Sequence, residues 1–426
     1  MNIDDKIISE LNRRIADSCY GTAYPWRPEE WQRYAMPGNL PFNDCHRLSF
    51  YVHVPFCKHL CKFCEYTRCR VPDEQLQRRY LETLAKDIDE FLQSHPEIML
   101  EGFDIGGGTP TALSPDNFRF LIELYTSVTD RVALSFDYEP SIETSFLTID
   151  KKKAALIAEA GIRRISMGIQ SLYFSKATDA VGWKHPQALE IATRIKMLRE
   201  VAPFKINLDF MYGFKGQTNW DEFEANRRVL EFLNPDQVTL YELRTNQQNR
   251  VSADVDEEKA LLYDRWFDLL SGMGYIGRYG QNTFSRNADD FGVSSYIRHR
   301  MLDGGDYKGF GLSAQSMTGG NVEYNEGKNA SDLPSLIQSL ESFEATSHYD
   351  LPNEEKLAKF ICISSYNGGF NWKIAQDKFN PDFMRDNIVM LATLKENGLI
   401  TVDGTLIRLT KEGFKHYGAV LSMFYK

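Results

Sequence analysis

The sequence predicts an α/β protein: a partial (β/α)6 TIM-like barrel with an N-terminal arm and a C-terminal winged-helix-like module. Three observations carry this. From Leu48 onward, short apolar runs alternate six times with amphipathic helical patterns, which implies right-handed crossovers and a parallel sheet. Such a pattern fits either a barrel or an open doubly wound sheet. Polar residues and glycines recur at the carboxyl ends of the runs, the arrangement that a barrel's active face requires, and this favours the barrel. Lastly, Asp403-Gly404 joins two short β-like runs behind two helical patterns, a tight-hairpin signal in the order of a winged helix.

Residues 1–47 open with a short amphipathic helix and continue as a Pro- and aromatic-rich stretch, including Tyr24-Pro25-Trp26 and Met36-Pro37-Gly38. This segment is too irregular to be a domain alone and reads as an arm lying across the main domain, over its opening. The predicted strands are Leu48–Val54, Gly102–Ile105, Val132–Phe136, Arg164–Met167, Lys205–Phe210 and Gln237–Tyr241. Between the first two, Leu76, Tyr80, Leu84, Ile88 and Phe91 recur at helical spacing. Ser114-Pro115, an N-cap followed by proline at the first helical position, opens a helix over Asp116–Thr126. The cysteine-rich stretch follows the first strand and Gly106-Gly107-Gly108-Thr109-Pro110-Thr111 the second. Asp137 and Glu139 follow the third, Gln170 ends the fourth, Asp209 lies in the fifth, and Glu242 and Arg244 follow the sixth. One strand-end Asp is usually a helix cap; six polar ends in succession are hard to attribute to capping. Residues 48–345 are expected to form the barrel with an extension covering its open edge, and 351–426 the C-terminal helical, winged-helix-like domain. That domain is not especially basic, so a substrate-covering or packing role is expected rather than DNA binding.

The chain has 426 residues, 42% of them apolar, enough for a large core plus an appended module. Its formal charge of −10 argues against broad affinity for nucleic acid or anionic membranes. No uninterrupted apolar segment is long enough to span a bilayer, and the first residues lack a signal-peptide core. Seven clustered cysteines do not make a disulfide framework. A cytoplasmic, reducing-compartment protein acting on a small molecule as a monomer is expected.

The organising stretch is Tyr51–Cys69, in which Cys57, Cys61 and Cys64 form a C-x3-C-x2-C triplet after an apolar β-like run. Three thiolates on so short a loop can converge on one inorganic centre. Structural zinc prefers four ligands, commonly two distant C-x2-4-C pairs, and no second pair exists here, although His53, His59 or Cys69 could complete a site. A [4Fe-4S] cluster held by three cysteines keeps one iron open, and this spacing, with Phe63 before the third cysteine, favours that reading.

With these motifs in place, the chain resembles the oxygen-independent coproporphyrinogen III oxidase-like (HemN-like) family of radical S-adenosylmethionine (SAM) proteins over nearly its whole length. That family also includes haem chaperones, haem-degrading methyltransferases and class C radical-SAM methyltransferases. The matching pieces are Tyr51-Val-His-Val-Pro-Phe-Cys57 with Cys61 and Phe63-Cys64, Gly106–Thr111, Ile165-Ser-Met-Gly-Ile-Gln170, Asn207-Leu-Asp-Phe-Met-Tyr-Gly213 and Gly309-Phe-Gly-Leu-Ser-Ala314. The resemblance implies a radical-SAM barrel with a C-terminal HemN domain, a three-cysteine cluster, SAM, in several members a second SAM, and a reductant such as flavodoxin or ferredoxin. It places Tyr51, Gly107, Asp137 and Gln315 around the first SAM. Phe63, Gly108, Thr109, Gln170, Asp209 and Arg244 then lie near the second.

Departures from the pattern bear on the reaction. Where the oxidases carry an arginine for the second SAM carboxylate, this chain reads Val181-Gly182-Trp183-Lys184-His185. Lys184 could replace that charge but not its bidentate geometry. The oxidases' cysteine two residues past the third ligand is Tyr66, and of the chaperones' His-Asn-x-x-Tyr only His299 remains. The expectation is therefore class C-type methylation, or a related one-carbon transfer, of a small aromatic or heterocyclic metabolite, with Tyr241, Glu242 and Arg244 orienting SAM or substrate. Coproporphyrinogen III oxidation and haem trafficking are the alternatives.

Overall fold

The computed structural model describes residues 3–17, 24–25, 28–43, 45–171, 188–214, 220–243, 256–328 and 330–425. Its centre is a run of six parallel strands: β2 (Arg47–Val54), β5 (Met99–Gly107), β7 (Ser141–Thr144), β8 (Arg164–Gln170), β9 (Lys205–Tyr212) and β10 (Gln237–Glu242). Antiparallel β11 (Thr283–Ser285) pairs with β10, and parallel β12 (Tyr307–Phe310) pairs with β2. The ends of the six-strand run are thus not joined to each other among the described residues, and the barrel is partial.

The sheet continues past β12 through β13 (Gln315–Thr318), β14 (Asn321–Tyr324) and β15 (Ser347–Tyr349) to β1 (Ala35–Pro37). Alternation along β2 shows how the layers form. Leu48, Phe50, Val52 and Val54 are fully or nearly fully buried, and Phe50 meets Phe91, Phe103 and Phe310 edge to face at 5.0–5.8 Å. Ser49, Tyr51 and His53 take the opposite, inward face. The helix Glu74–Ser94 buries Tyr80, Leu84, Ile88 and Phe91, the residues its spacing predicted. The helix Pro115–Thr129 starts at the predicted proline, but the Ser114 hydroxyl makes no capping bond; instead its backbone N–H donates to Gln77 Oε1 at 2.9 Å.

One predicted strand is shorter than expected and is not the third of the central run. Of Val132–Phe136 only β6 (Ala133–Leu134) pairs, with the start of β5, and Phe136 is fully exposed. The third parallel strand is β7, whose sequence Ser-Ile-Glu-Thr offers a single apolar residue; Ser141 and Glu143 share one face, Ile142 and Thr144 the other.

In the C-terminal part, the helix Asn353–Ser364, β16 (Gly369–Asn371), the helices Trp372–Lys378 and Phe383–Glu396, and the hairpin of β17 (Ile400–Asp403) and β18 (Leu406–Leu409) follow in winged-helix order. Gly404 takes the positive φ that the Asp-Gly turn requires. The N-terminal helix Ile3–Ala16 packs on this module: Thr393 Oγ1 donates to Asp4 Oδ1 at 2.7 Å, and Arg14 donates to the carbonyls of Ser422 and Tyr425. Residues 28–37 run along the far edge of the sheet, so the described part of the arm does not cover the barrel opening. Among the described residues no helix is long and apolar enough to cross a membrane.

Candidate active site

The first parallel strand ends in a clasp that presents the cysteines. β3 (Phe56–Cys57) pairs with β4 (Cys69–Arg70), closing a loop that carries Cys61 and Cys64. Cys69 is opposite Phe56 in that ladder and is not part of the cavity wall. His53 fixes the loop to the sheet: its Nε2–H donates to the Thr67 carbonyl at 2.8 Å, and its Nδ1 faces the Tyr51 hydroxyl at 3.3 Å. Burial lowers the His53 pKa to about 4, so it is a neutral strut. The second loop lies against the first, with Gly108 N–H donating to the Val54 carbonyl and Thr109 N–H to the Phe56 carbonyl, both at 2.8 Å. Glycine is required at two positions here. A Cβ on Gly107, which has φ +103°, would sit 2.4 Å from the His53 ring; one on Gly108 would sit 2.7 Å from the Val54 carbonyl oxygen.

A cavity of about 560 Å³ opens between these loops and the carboxyl ends of β7–β10. Cys57, Cys61 and Cys64 form part of one wall, with Phe63, Tyr66 and Arg68 beside them. Burial pushes the Cys57 thiol up to about 12 and raises that of Cys64, which the Arg68 charge partly offsets. Arg68 is held by the carbonyls of Cys61 (2.6 Å) and Tyr66 (3.2 Å). The other walls carry Glu143, Ser166, Gln170, Asp209, Tyr241 and, from the C-terminal part, Tyr366.

Glu143 Oε2 accepts the Gly107 N–H at 3.0 Å, and burial together with the Asp209 charge raises its carboxyl to about 7. Asp209 accepts from Ser166 Oγ (2.8 Å) and Asn207 Nδ2 (2.7 Å), and burial raises it too. Gln170 has a left-handed φ of 61° and a buried Oε1 without a protein partner. A strained residue with an unpaired acceptor on a cavity wall is the signature of a ligand contact.

The thiols fit an iron–sulfur cluster better than a single metal ion. Among the described residues no three His, Cys, Asp or Glu side chains are gathered closely enough to hold one ion. A four-iron cluster does not demand that, because each thiolate binds a different iron. Cys57, Cys61 and Cys64 are the residues that would hold it, with the cavity on the open side.

Of the sequence-predicted residues, Phe63, Gly107, Gly108, Thr109, Gln170, Asp209, Tyr241 and Glu242 share this cavity. Glu242 is already committed, accepting from Lys259 Nζ at 2.9 Å and Tyr417 Oη at 3.2 Å. Asp137 is misplaced by the strand error: it is exposed and faces Arg298 at 3.7 Å, and Glu143 occupies the strand-end position assigned to it. Tyr51 and Gln315 are not cavity-wall residues. Tyr51 stacks on Tyr296 at 5.6 Å, and Gln315 accepts from Tyr307 and Arg300. Lys184 and Arg244, like Trp183, lie outside the described residues. Glu143, Arg68 and Tyr366 were missed. Only Glu143 left a signal, the short alternation Ser-Ile-Glu-Thr.

The comparisons agree with this geometry. Residues 51–228 match the model of the Radical SAM superfamily. The chain is 24% identical over 376 residues to the haem chaperone HemW of Bacillus subtilis, covering 86% of this chain and 96% of that protein. It is 29% identical over 320 residues to the oxygen-independent coproporphyrinogen III oxidase of Pseudomonas aeruginosa, covering 70% and 66%. The structure of coproporphyrinogen III oxidase (HemN) from Escherichia coli superposes with a TM-score of 0.71 at 23% identity, covering 89% and 90%. The fold and the cysteine loop thus define a radical SAM protein. Within that superfamily the relatives to which the chain is similar are oxygen-independent coproporphyrinogen III oxidases and haem chaperones.

Proposed function

We propose that the chain is a radical SAM enzyme that takes two SAM molecules into this cavity and transfers a one-carbon unit to a small, flat acceptor. When bound, a three-cysteine [4Fe-4S] cluster supplies the electron that releases a 5′-deoxyadenosyl radical from SAM. The observation that carries the reading is the pair of cavity-facing carboxylates, Glu143 and Asp209, opposite the cysteines. Each is raised by burial, so each gains from a cationic ligand, and SAM brings a sulfonium and an ammonium. Gln170 Oε1 supplies a further acceptor for a donor on the ligand. Phe63, Tyr66, Tyr241 and Tyr366 provide ring faces for a planar acceptor, and Tyr66 is 66% exposed where the oxidases carry a thiol. A one-electron donor such as flavodoxin or ferredoxin completes the requirement.

The test needs no acceptor. The reconstituted protein is incubated anaerobically with reductant and SAM labelled as CD3, and the 5′-deoxyadenosine is weighed. Deuterium in it is expected, because the radical then draws hydrogen from the methyl of a second SAM. Unlabelled 5′-deoxyadenosine would overturn one-carbon transfer.

The second reading, oxidation of coproporphyrinogen III, is favoured by the names of the relatives. It predicts anaerobic conversion of coproporphyrinogen III to protoporphyrinogen IX by the same preparation. Haem trafficking is less well supported, since His299 Nδ1 is engaged with Ser49 Oγ at 2.9 Å.

A further inference from the structure

A second cavity, of about 190 Å³, lies where the C-terminal module meets the barrel edge formed by β11. On the barrel side its lining includes Arg278 before β11, Phe291 after it, Arg298 in the helix Ser295–Met301 and Asp303 just past that helix. The module contributes Asn367, β16 and, from β18, Arg408. One ring gathers two of the guanidiniums: Arg278 Cζ is 5.4 Å and Arg298 Cζ 5.9 Å from the Phe291 centroid. Arg408 reaches the same cavity from the module, near enough for its charge to act on Arg278.

The lining is rich in donors. Among the described residues three guanidiniums line the cavity against one carboxylate, that of Asp303, an excess of two positive charges. Two further carboxylates approach from solvent. Asp403 is 3.3 Å from Arg408 and Asp137 is 3.7 Å from Arg298, and their side chains are 72% and 62% exposed. Solvent-screened pairs of this kind offset little. Arg408 Nε and Asn367 Nδ2, on two lining side chains, are buried without a partner among the described residues. Buried donors left unpaired carry the full cost of desolvation, and an acceptor in the cavity would relieve it.

We propose that this cavity binds a phosphate group, held by Arg278 and Arg408, with the half-exposed Arg298 beside them and Asn367 as a neutral donor. A phosphate dianion matches the excess of two charges. Its tetrahedral oxygens accept from guanidiniums in several directions, whereas a carboxylate presents two oxygens in one plane. The anion fastens two parts of the chain, because Arg278 and Arg298 belong to the barrel side and Asn367 and Arg408 to the module. Asn367 directly follows Tyr366, which lies on the wall of the larger cavity and whose carbonyl accepts the Asn282 N–H at 2.9 Å. The phosphate therefore steadies the module where it shapes that wall, whatever reaction the larger cavity carries out.

The experiment is calorimetric titration of the full-length, cluster-loaded protein with inorganic phosphate, glycerol 3-phosphate and acetate at constant ionic strength. Phosphate is expected to bind, and acetate at least about tenfold more weakly. Arg278→Gln and Arg408→Gln, one from each side, should each weaken phosphate by about tenfold or more, the loss of a hydrogen bond between charged groups. Arg385→Gln makes the same charge change on the module surface, where the side chain is 71% exposed, and should leave the affinity unchanged. Amide exchange of the wild type tests the site without a variant that could fail to fold: saturating phosphate should slow Gly369–Asn371 and Leu406–Leu409 and leave β8 as it was. Tighter binding of glycerol 3-phosphate supports the site with an ester as its ligand, and tighter binding of inorganic phosphate supports it with the free ion. Equal binding of acetate, unchanged affinity in either cavity variant, a loss as large in Arg385→Gln, or exchange that phosphate does not alter would overturn it.

Discussion

Glu143 ties the second glycine loop to the ends of the middle strands. It accepts the Gly107 N–H, faces the cysteine wall, and sits close enough to Asp209 for each charge to disfavour the other. Glu143→Gln keeps the shape and the acceptor oxygen but removes the charge. SAM affinity should then fall by about tenfold or more in equilibrium dialysis, while iron content stays that of the wild type. Unchanged SAM affinity would remove Glu143 from the ligand contacts. Gly107→Ala acts differently. Its Cβ has no room beside His53, and φ +103° is strained for alanine, so a loss of about 2–4 kcal/mol in denaturant unfolding is expected, with reduced cluster loading.

The elements that were legible in the sequence are those whose own interactions define them. The helix Glu74–Ser94 announced itself because five apolar residues at helical spacing face one core. The cysteine loop was legible because its spacing is chemical rather than conformational. β7 was not, because a four-residue strand with three polar side chains owes its state to its neighbours β5 and β8, and with it went the correct place of Glu143. Within the helix Glu74–Ser94, Asp87 gives a further test. It is 1% exposed, Oδ2 accepts the Phe343 N–H at 2.8 Å, Oδ1 has no partner, and burial raises its pKa to about 6 from an ordinary 3.8. The folded state thus keeps its proton where the unfolded state has lost it. The stabilisation is complete below about pH 4 and lost as pH rises through 6. Asp87→Asn should flatten that slope and raise stability at pH 8 by up to about 3 kcal/mol, read by urea unfolding at pH 5 and pH 8. A loss of stability at both pH values would show that the charged bond to Phe343 outweighs the cost of burial.

The chain's two ends meet on the C-terminal module, and this bears on what the module does. Its third helix, Phe383–Glu396, is the one a DNA-reading winged helix would present. Here that helix packs against Ile3–Ala16, tied by Thr393 to Asp4, while Arg14 holds the carbonyls of Ser422 and Tyr425. The module also reaches the cavity, through Tyr366 on its wall and Tyr417 on Glu242. These contacts favour packing and shaping of the site over nucleic-acid binding, in keeping with the net charge of −10. Removal of residues 2–16 separates the two roles. Amide exchange should quicken in Phe383–Glu396 and Tyr417–Ser422, which lose their covering, while β2 and β5, buried in the barrel core, keep wild-type protection and the protein keeps its iron. Equal loosening of β2 and β5 would instead make the N-terminal helix part of the barrel's own stability.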